Sequence, residues 1–170
     1  MGGKNPVWLD KTYDLNLAAK RILWARCLNT GQVCLSPEYV MLPAELMEKF
    51  IKQLRKVSNE FYGGNPMLSN SYNGKIINKF HFDRLKTLLQ TTNGEVVMGG
   101  NFDEEKLFFE PTVVRIADPV KDPLMEEETF GPILSLVACE DVTEAIHFIN
   151  ERECPLAAYV FTKRKCIQAA

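Results

Sequence analysis

Histidine and tryptophan are scarce in this chain, with two of each among 170 residues, and charge is nearly balanced at 20 basic against 22 acidic residues. A net charge of −2 leaves no basic stripe for nucleic acid and no acidic arm. No apolar run approaches the roughly 20 residues of a membrane span, and Met1-Gly2-Gly3-Lys4-Asn5-Pro6 carries no hydrophobic signal core. The five cysteines, Cys27, Cys34, Cys139, Cys154 and Cys166, form no CxxC pair and, with so few histidines, no cluster with zinc spacing. An odd count at irregular spacing argues against a disulfide framework and for a reducing, cytoplasmic setting. Repeats, low-complexity tracts and interdomain linkers are also missing, so one domain is expected, with 46% apolar residues to build its core.

Strand-like and helix-like stretches alternate. Val7-Trp8-Leu9 reads as a strand. Asp14 caps a helix through about Cys27, with both Trp8 and Trp24 in core-like patterns and Asn29-Thr30-Gly31 closing it. Val33 to Leu42 is strand-like, interrupted by Ser36-Pro37; Pro43 opens a helix faced by Leu46, Phe50, Ile51 and Leu54, and Gly63-Gly64-Asn65-Pro66 breaks it. A further helix is expected from about Asn73 through Leu89. Strands follow at 95–98, 111–116, 132–139 and 155–161, with a helix capped by Asp141 or Thr143 between the last two. This alternation predicts an α/β fold with a mostly parallel open sheet and flanking helices.

Two clusters can carry chemistry. In Asn29-Thr30-Gly31-Gln32-Val33-Cys34 a thiol stands at the edge of an element beside small and polar residues. That placement suits a cysteine nucleophile, which needs an accessible sulfur and some thiolate; a packed strand-end cysteine is the structural alternative. In Glu126-Glu127-Glu128-Thr129-Phe130-Gly131-Pro132, three acids meet an aromatic residue and a buried strand. A carboxylate there can accept hydrogen bonds from the vicinal hydroxyls of a ribose, or the acids can form a solvated loop. His81 and His147 both fall within helices and read as surface or half-buried, although a Cys–His pair would suit a thiol hydrolase. Gly2-Gly3 fits a turn or a close backbone approach to a ligand.

Taken in order, these segments resemble the aldehyde dehydrogenase superfamily, nearest its class 3 branch. Gly2-Gly3-Lys4-Asn5-Pro6 resembles the tail of the Glu-Leu-Gly-Gly-Lys signature. Asn29 to Cys34, followed by Ser36-Pro37-Glu38-Tyr39, resembles the active-site cysteine motif, and Glu126 to Pro132 the Glu-Glu-x-Phe-Gly-Pro motif. Similarity continues through Glu60-Phe61-Tyr62-Gly63, Pro111-Thr112-Val113, Glu144 to Asn150 and Pro155 to Phe161. The resemblance implies Cys34 as nucleophile, Glu128 on the nicotinamide ribose, Phe130 beside the nicotinamide, NAD or NADP as cofactor and a small aldehyde as substrate. It also implies a homodimeric parent whose membrane attachment depends on a C-terminal tail. The general-base glutamate of the family falls two residues before Gly2, ahead of Met1. The oxyanion-hole asparagine, the Rossmann coenzyme-binding half and the oligomerisation arm likewise find no counterpart here. Residues 1–170 are therefore expected to be a single partial catalytic domain, truncated at both ends, inactive alone and with apolar surface left open. Two other readings stay open: a non-catalytic truncated product serving interaction, and a cofactor-independent thiol esterase.

Overall fold

The computed structural model describes residues 3–67 and 74–168. Eight strands and six helices follow one another along the chain: β1 (Asn5–Leu9), α1 (Leu15–Cys27), β2 (Pro37–Leu42), α2 (Met47–Tyr62), α3 (Lys79–Thr91), β3 (Glu95–Met98), β4 (Phe102–Asp103), β5 (Phe108–Phe109), β6 (Thr112–Ile116), α4 (Pro123–Glu126), β7 (Ile133–Ala138), α5 (Val142–Asn150), β8 (Tyr159–Phe161) and α6 (Lys165–Gln168). Six strands form one sheet in the order β3-β6-β7-β2-β1-β8, and β4 and β5 form a separate small hairpin. Every pairing in the large sheet is parallel except β3 with β6.

Strict alternation sorts the strand side chains into two cores, because successive residues of a strand point to opposite faces. Val7, Leu9, Val40, Leu42, Leu134 and Leu136 face α1 and α2, where Ala18, Ile22, Phe50 and Leu54 complete one core. Trp8, Tyr39, Met41, Ile133 and Val137 face the other way onto Phe82, Leu85, Leu124 and Ala145. Both faces are covered by the chain's own helices, which is why the strands read as continuous apolar runs. The expected open face is therefore not found on the central strands. Exposed apolar side chains lie on helix ends and loops, such as Trp24, Phe61 and Phe80, and on the two edge strands, at Val96 and Val160.

Four local expectations are corrected. Trp24 is 60% exposed; α1 buries Ala18, Ala19, Ile22, Leu23 and Arg26, and one residue past Leu23 the helix has turned about 100° away from that face. β2 begins at Pro37, because Val33 to Ser36 close a turn through the Ser36 N–H to Val33 carbonyl bond of 2.9 Å. α3 begins at Lys79, with Asn78 accepting from the His81 N–H; Asn73, the expected start, lies outside the described residues, as does Gly2. The 155–161 stretch forms a strand only over Tyr159–Phe161, a half-exposed edge beside β1. The remaining caps are as expected: Asp14 accepts from the Leu17 N–H, and Asp141 from those of Thr143 and Glu144.

Candidate functional site

β1, β2 and β7 are neighbours and mutually parallel, so the segments entering them gather at one edge of the sheet. Those entries are Gly3-Lys4, the Cys34 turn and the Glu126–Pro132 loop.

The cysteine turn is reached through an unusual stretch of backbone. Asn29, Thr30 and Gly31 have successive φ values of 50°, 57° and 74°. Asparagine tolerates this left-handed region; a β-branched threonine does not adopt it without strain, of order 1–3 kcal/mol. Gly31 is required, since a Cβ there would lie 2.1 Å from the Gly131 carbonyl oxygen. That contact brings the two candidate motifs backbone to backbone. Gln32 then anchors the turn: its amide donates to the Lys75 carbonyl at 2.9 Å and accepts from the Ile77 N–H at 2.9 Å. This side chain is a brace, and it keeps residues 75–77 from joining α3.

Cys34 itself is exposed, so the packed strand-end alternative does not hold. The buried Asn5 amide donates to the carbonyls of Cys34 and Ser36, at 2.8 and 2.9 Å, and accepts from the Ala157 N–H at 3.0 Å. The Tyr159 hydroxyl donates to the Leu35 carbonyl at 2.6 Å; burial, together with the nearby Cys34 sulfur, raises the Tyr159 hydroxyl above its ordinary pKa. The turn is thus fixed from β1 and β8 while its sulfur faces outward. Among the described residues, no hydrogen bond or ion pair joins that sulfur to a carboxylate or an imidazole. His81 is half-buried and His147 exposed.

The acidic loop divides its labour. Glu126 and Glu127 are exposed, and Glu127 pairs with Arg84 at 3.3 Å, as the solvated-loop reading expects. Glu128 is half-buried and faces the Gly3 N–H; burial, then the negative charge of Glu38, raises its pKa above the usual carboxylate value against the weaker lowering effect of that N–H. Phe130 is 37% exposed and holds φ 46°. Cys34 and Glu128 therefore both border the tripeptide Gly3-Lys4-Asn5, whose end Cα atoms lie at most about 7 Å apart.

Beneath them lies a buried charge network. Glu38 accepts from Lys4 Nζ at 2.9 Å, from the Thr129 N–H at 2.9 Å, from the Thr129 hydroxyl at 2.6 Å and from Arg26. Arg26 also donates to Ser36 Oγ, the Pro37 carbonyl and the Thr129 hydroxyl. Burial pushes the Glu38 carboxyl up, but the charges of Arg26 and Lys4 and the two Thr129 bonds outweigh it and bring it to about 2. Burial lowers the Lys4 ammonium against the pull of Glu38. Sequence reasoning assigned no role to Arg26, Glu38, Asn5 or Arg84. One signal was present: an acid at position 38 inside an otherwise apolar strand has to be paired.

A cleft of about 670 Å³ opens beside Glu128, lined also by Gly3, Lys4, Tyr39, Glu151 and Arg152. Its carboxylates suit neutral hydroxyl donors and repel a diphosphate; Glu128, with an acceptor oxygen turned toward Gly3, fits a ribose. A second cavity, of about 630 Å³, lies at the opposite, carboxyl ends of β1, β2 and β7 and is lined by Asp10, Ala138 and Cys139. Burial raises the Cys139 thiol to about 12, so that end offers no comparable nucleophile. No group of three or more His, Cys, Asp or Glu side chains is arranged for a metal ion among the described residues, and no helix there is long and apolar enough to cross a membrane.

Comparison with known proteins gives a consistent result. A profile described as "Aldehyde dehydrogenase family" matches residues 1–169. The chain is 39% identical over 165 residues to "Aldehyde dehydrogenase, dimeric NADP-preferring" of Rattus norvegicus, covering 97% of this chain and 36% of that protein. It is 44% identical over 164 residues to "Aldehyde dehydrogenase family 3 member B1" of the same species, covering 96% and 34%. Among solved structures, the substrate-bound AldH of Staphylococcus aureus superposes with a TM-score of 0.94 at 36% identity, over 99% of this chain and 36% of that one. The GapN glyceraldehyde-3-phosphate dehydrogenase of Methanocaldococcus jannaschii, complexed with NADP, gives 0.84 at 25% identity, over 99% and 37%. The chain thus spans about a third of the length of the relatives it matches.

Proposed function

This chain belongs to the aldehyde dehydrogenase family, with family 3 members among its relatives, and on that premise we propose that the protein oxidises aldehydes to carboxylic acids with NAD or NADP, using Cys34 as its nucleophile. The observation that carries the reading is the convergence of Cys34 and Glu128 on Gly3-Lys4-Asn5, the first held through the Asn5 amide and the second facing Gly3. It sets an exposed sulfur and a half-buried acceptor carboxylate at one edge of the sheet.

In this reading the Cys34 thiolate adds to the aldehyde carbonyl carbon, and the carbonyl oxygen becomes an oxyanion in a thiohemiacetal. The backbone N–H of Cys34 is suited to stabilise that oxygen, because the Asn5 amide holds the turn from its carbonyl side. A bound dinucleotide supplies the hydride acceptor. Glu128 would hold its ribose hydroxyls and Phe130 would pack by the nicotinamide, which is an orientation effect. The resulting thioester on Cys34 is hydrolysed by water to the acid, freeing the thiol. The lining suits the ribose end of the dinucleotide better than its diphosphate, and the reading assigns none of these residues to the phosphates.

We read residues 1–170 as catalytic-domain material, consistent with their covering a third of each relative. A polypeptide of these residues alone is expected to take up an aldehyde-reactive probe at Cys34 yet sustain no turnover, since no base is held against its sulfur among the described residues. A homodimer in the cytoplasm is the assembly and setting proposed for the native protein.

The test is to follow reduced nicotinamide when the native protein is given an aldehyde with NAD or NADP. Cys34→Ala should abolish the signal, and Glu128→Gln should raise the KM for the dinucleotide. Full activity in Cys34→Ala would refute the assignment.

A further inference from the structure

Three cations from three different elements converge on three consecutive residues of the loop that carries Glu128. Lys4, entering β1, donates to the Glu127 carbonyl at 3.0 Å. Arg84, from α3, donates to the Glu128 carbonyl at 3.2 Å, to the Thr129 carbonyl, and to the Glu127 carboxylate at 3.3 Å. Arg26, from α1, donates to the Thr129 hydroxyl. Two of the three are already bound up in the buried network with Glu38. Arg84 is not: among the described residues its hydrogen bonds and its ion pair all go to residues 127–129.

The loop needs such a hold. Phe130 follows at φ 46°, a conformation that a non-glycine residue keeps only when its surroundings impose it. α3 presses on the loop at two successive residues. Arg84 takes the carbonyls, and the Leu85 side chain lies so close to Gly131 that a Cβ there would come within 2.5 Å of it. The same helix is tied to the cysteine turn, since Gln32 grips Lys75 and Ile77 just before its cap. The planar fork of an arginine spans two adjacent carbonyls in a fixed geometry, which the single ammonium of a lysine does not impose.

From this geometry we infer that Arg84 is a positioning residue for the dinucleotide: it fixes the backbone on the carbonyl side of Glu128, so that the carboxylate meets the ribose in one orientation. The inference rests on the proposed function of Glu128. Through Gln32 and α3, the loop carrying the nucleophile and the loop carrying the acid share one support.

The test compares native protein with Arg84→Ala and Arg84→Lys by three measurements. Dinucleotide affinity is read from nicotinamide fluorescence, backbone hydrogen exchange at 128–131 is followed without ligand, and alkylation of Cys34 by iodoacetamide is timed. Arg84→Ala should weaken dinucleotide binding about tenfold or more, the loss of about 1.4 kcal/mol expected for a charge-assisted pair of bonds. It should also speed exchange in the loop, with Cys34 alkylation within about twofold of the parent, and Arg84→Lys should fall between. Unchanged exchange and unchanged affinity in Arg84→Ala would overturn the inference. So would a uniform loss in which Cys34 reactivity and affinity fall together with the melting temperature, the mark of a merely structural arginine. If the unaltered protein binds neither NAD nor NADP while Arg84→Ala still speeds exchange, the assignment of Glu128 fails and the clamp on its loop survives.

Discussion

Glu38 is the residue whose replacement discriminates most sharply between a stabilising network and an incidental one. Its side chain is 2% exposed, that of Arg26 is 0% and that of Lys4 is 10%. Glu38→Gln keeps the shape but removes the carboxylate charge that is hydrogen-bonded to both buried cations, and it turns an NH2 toward donors. Removing one partner of a buried pair costs about 3–5 kcal/mol, because the remaining charge stays desolvated. An independent route gives a similar figure. The carboxyl is lowered from 4.5 to about 2 in the folded protein, and at 1.36 kcal/mol per unit that shift corresponds to about 3 kcal/mol. Because the folded-state pKa is depressed, this stabilisation is fully present above about pH 4.5 and is lost as pH falls from there toward 2. Urea unfolding at neutral pH should show the Glu38→Gln midpoint lowered by about 1.5–2.5 M at unchanged slope, taking about 2 kcal/mol per molar for a chain of this size. The native protein should then lose the advantage between pH 4.5 and 2, where the variant's own stability is flatter. A loss below about 1 kcal/mol with the same acid dependence in both proteins would refute the reasoning.

Two further outcomes are expected. Gly31→Ala should cost at least about 2 kcal/mol in thermal or urea unfolding, since it combines a left-handed backbone with a Cβ 2.1 Å from the Gly131 carbonyl. Gly63→Ala, at φ 63° with nothing within 4 Å, should lose only about 1 kcal/mol, and equal losses would show that the contact between the two loops is not made. With iodoacetamide near pH 8, Cys34 should be alkylated well before Cys27 and Cys139, whose thiols burial raises to about 11 and about 12, leaving thiolate fractions of roughly one in a thousand and one in ten thousand. Peptide mass spectrometry reads the order, and equal rates would place Cys34 in a setting unlike the exposed turn described above.

Much of the fold could be read from local pattern, and the failures share a cause. The strands of the central sheet and the caps at Asp14 and Asp141 follow from apolar runs and single side-chain acceptors, both local signals. The start of α3 did not follow, because residues 75–77 are held out of the helix by Gln32, over 40 residues earlier. Trp24 was misplaced because an aromatic residue at a helix end resembles core until the helix's angular face is known. Cys34 and Glu128 were legible as motifs and through family resemblance. Their mutual arrangement was not, because Asn5, Arg26 and Glu38 link them across 29 to 103 positions of chain. Only the acid within an apolar strand hinted at that.

The parallel order of the sheet is what makes such distant residues one site. The Cys34 turn and the Glu128 loop are separated by more than 90 residues, yet each immediately precedes a strand, and those strands, β2 and β7, pair side by side in the same direction with Tyr39 opposite Ser135. β1 pairs with β2 on its other side, also in parallel, so Gly3-Lys4-Asn5 enters at the same edge and can bond to both loops. Were β7 antiparallel to β2, its entry would lie a strand length away, about 20 Å for six residues. Neither the Gly31–Gly131 contact nor the hold of Glu38 on Thr129 could then form. The buried charges are intelligible in the same terms. Three chain entries crowded together bring unpaired loop backbone out of water, and Lys4, Arg26 and Arg84 supply the donors that its carbonyls and hydroxyls require. One carboxylate, Glu38, keeps two of those cations from being buried alone.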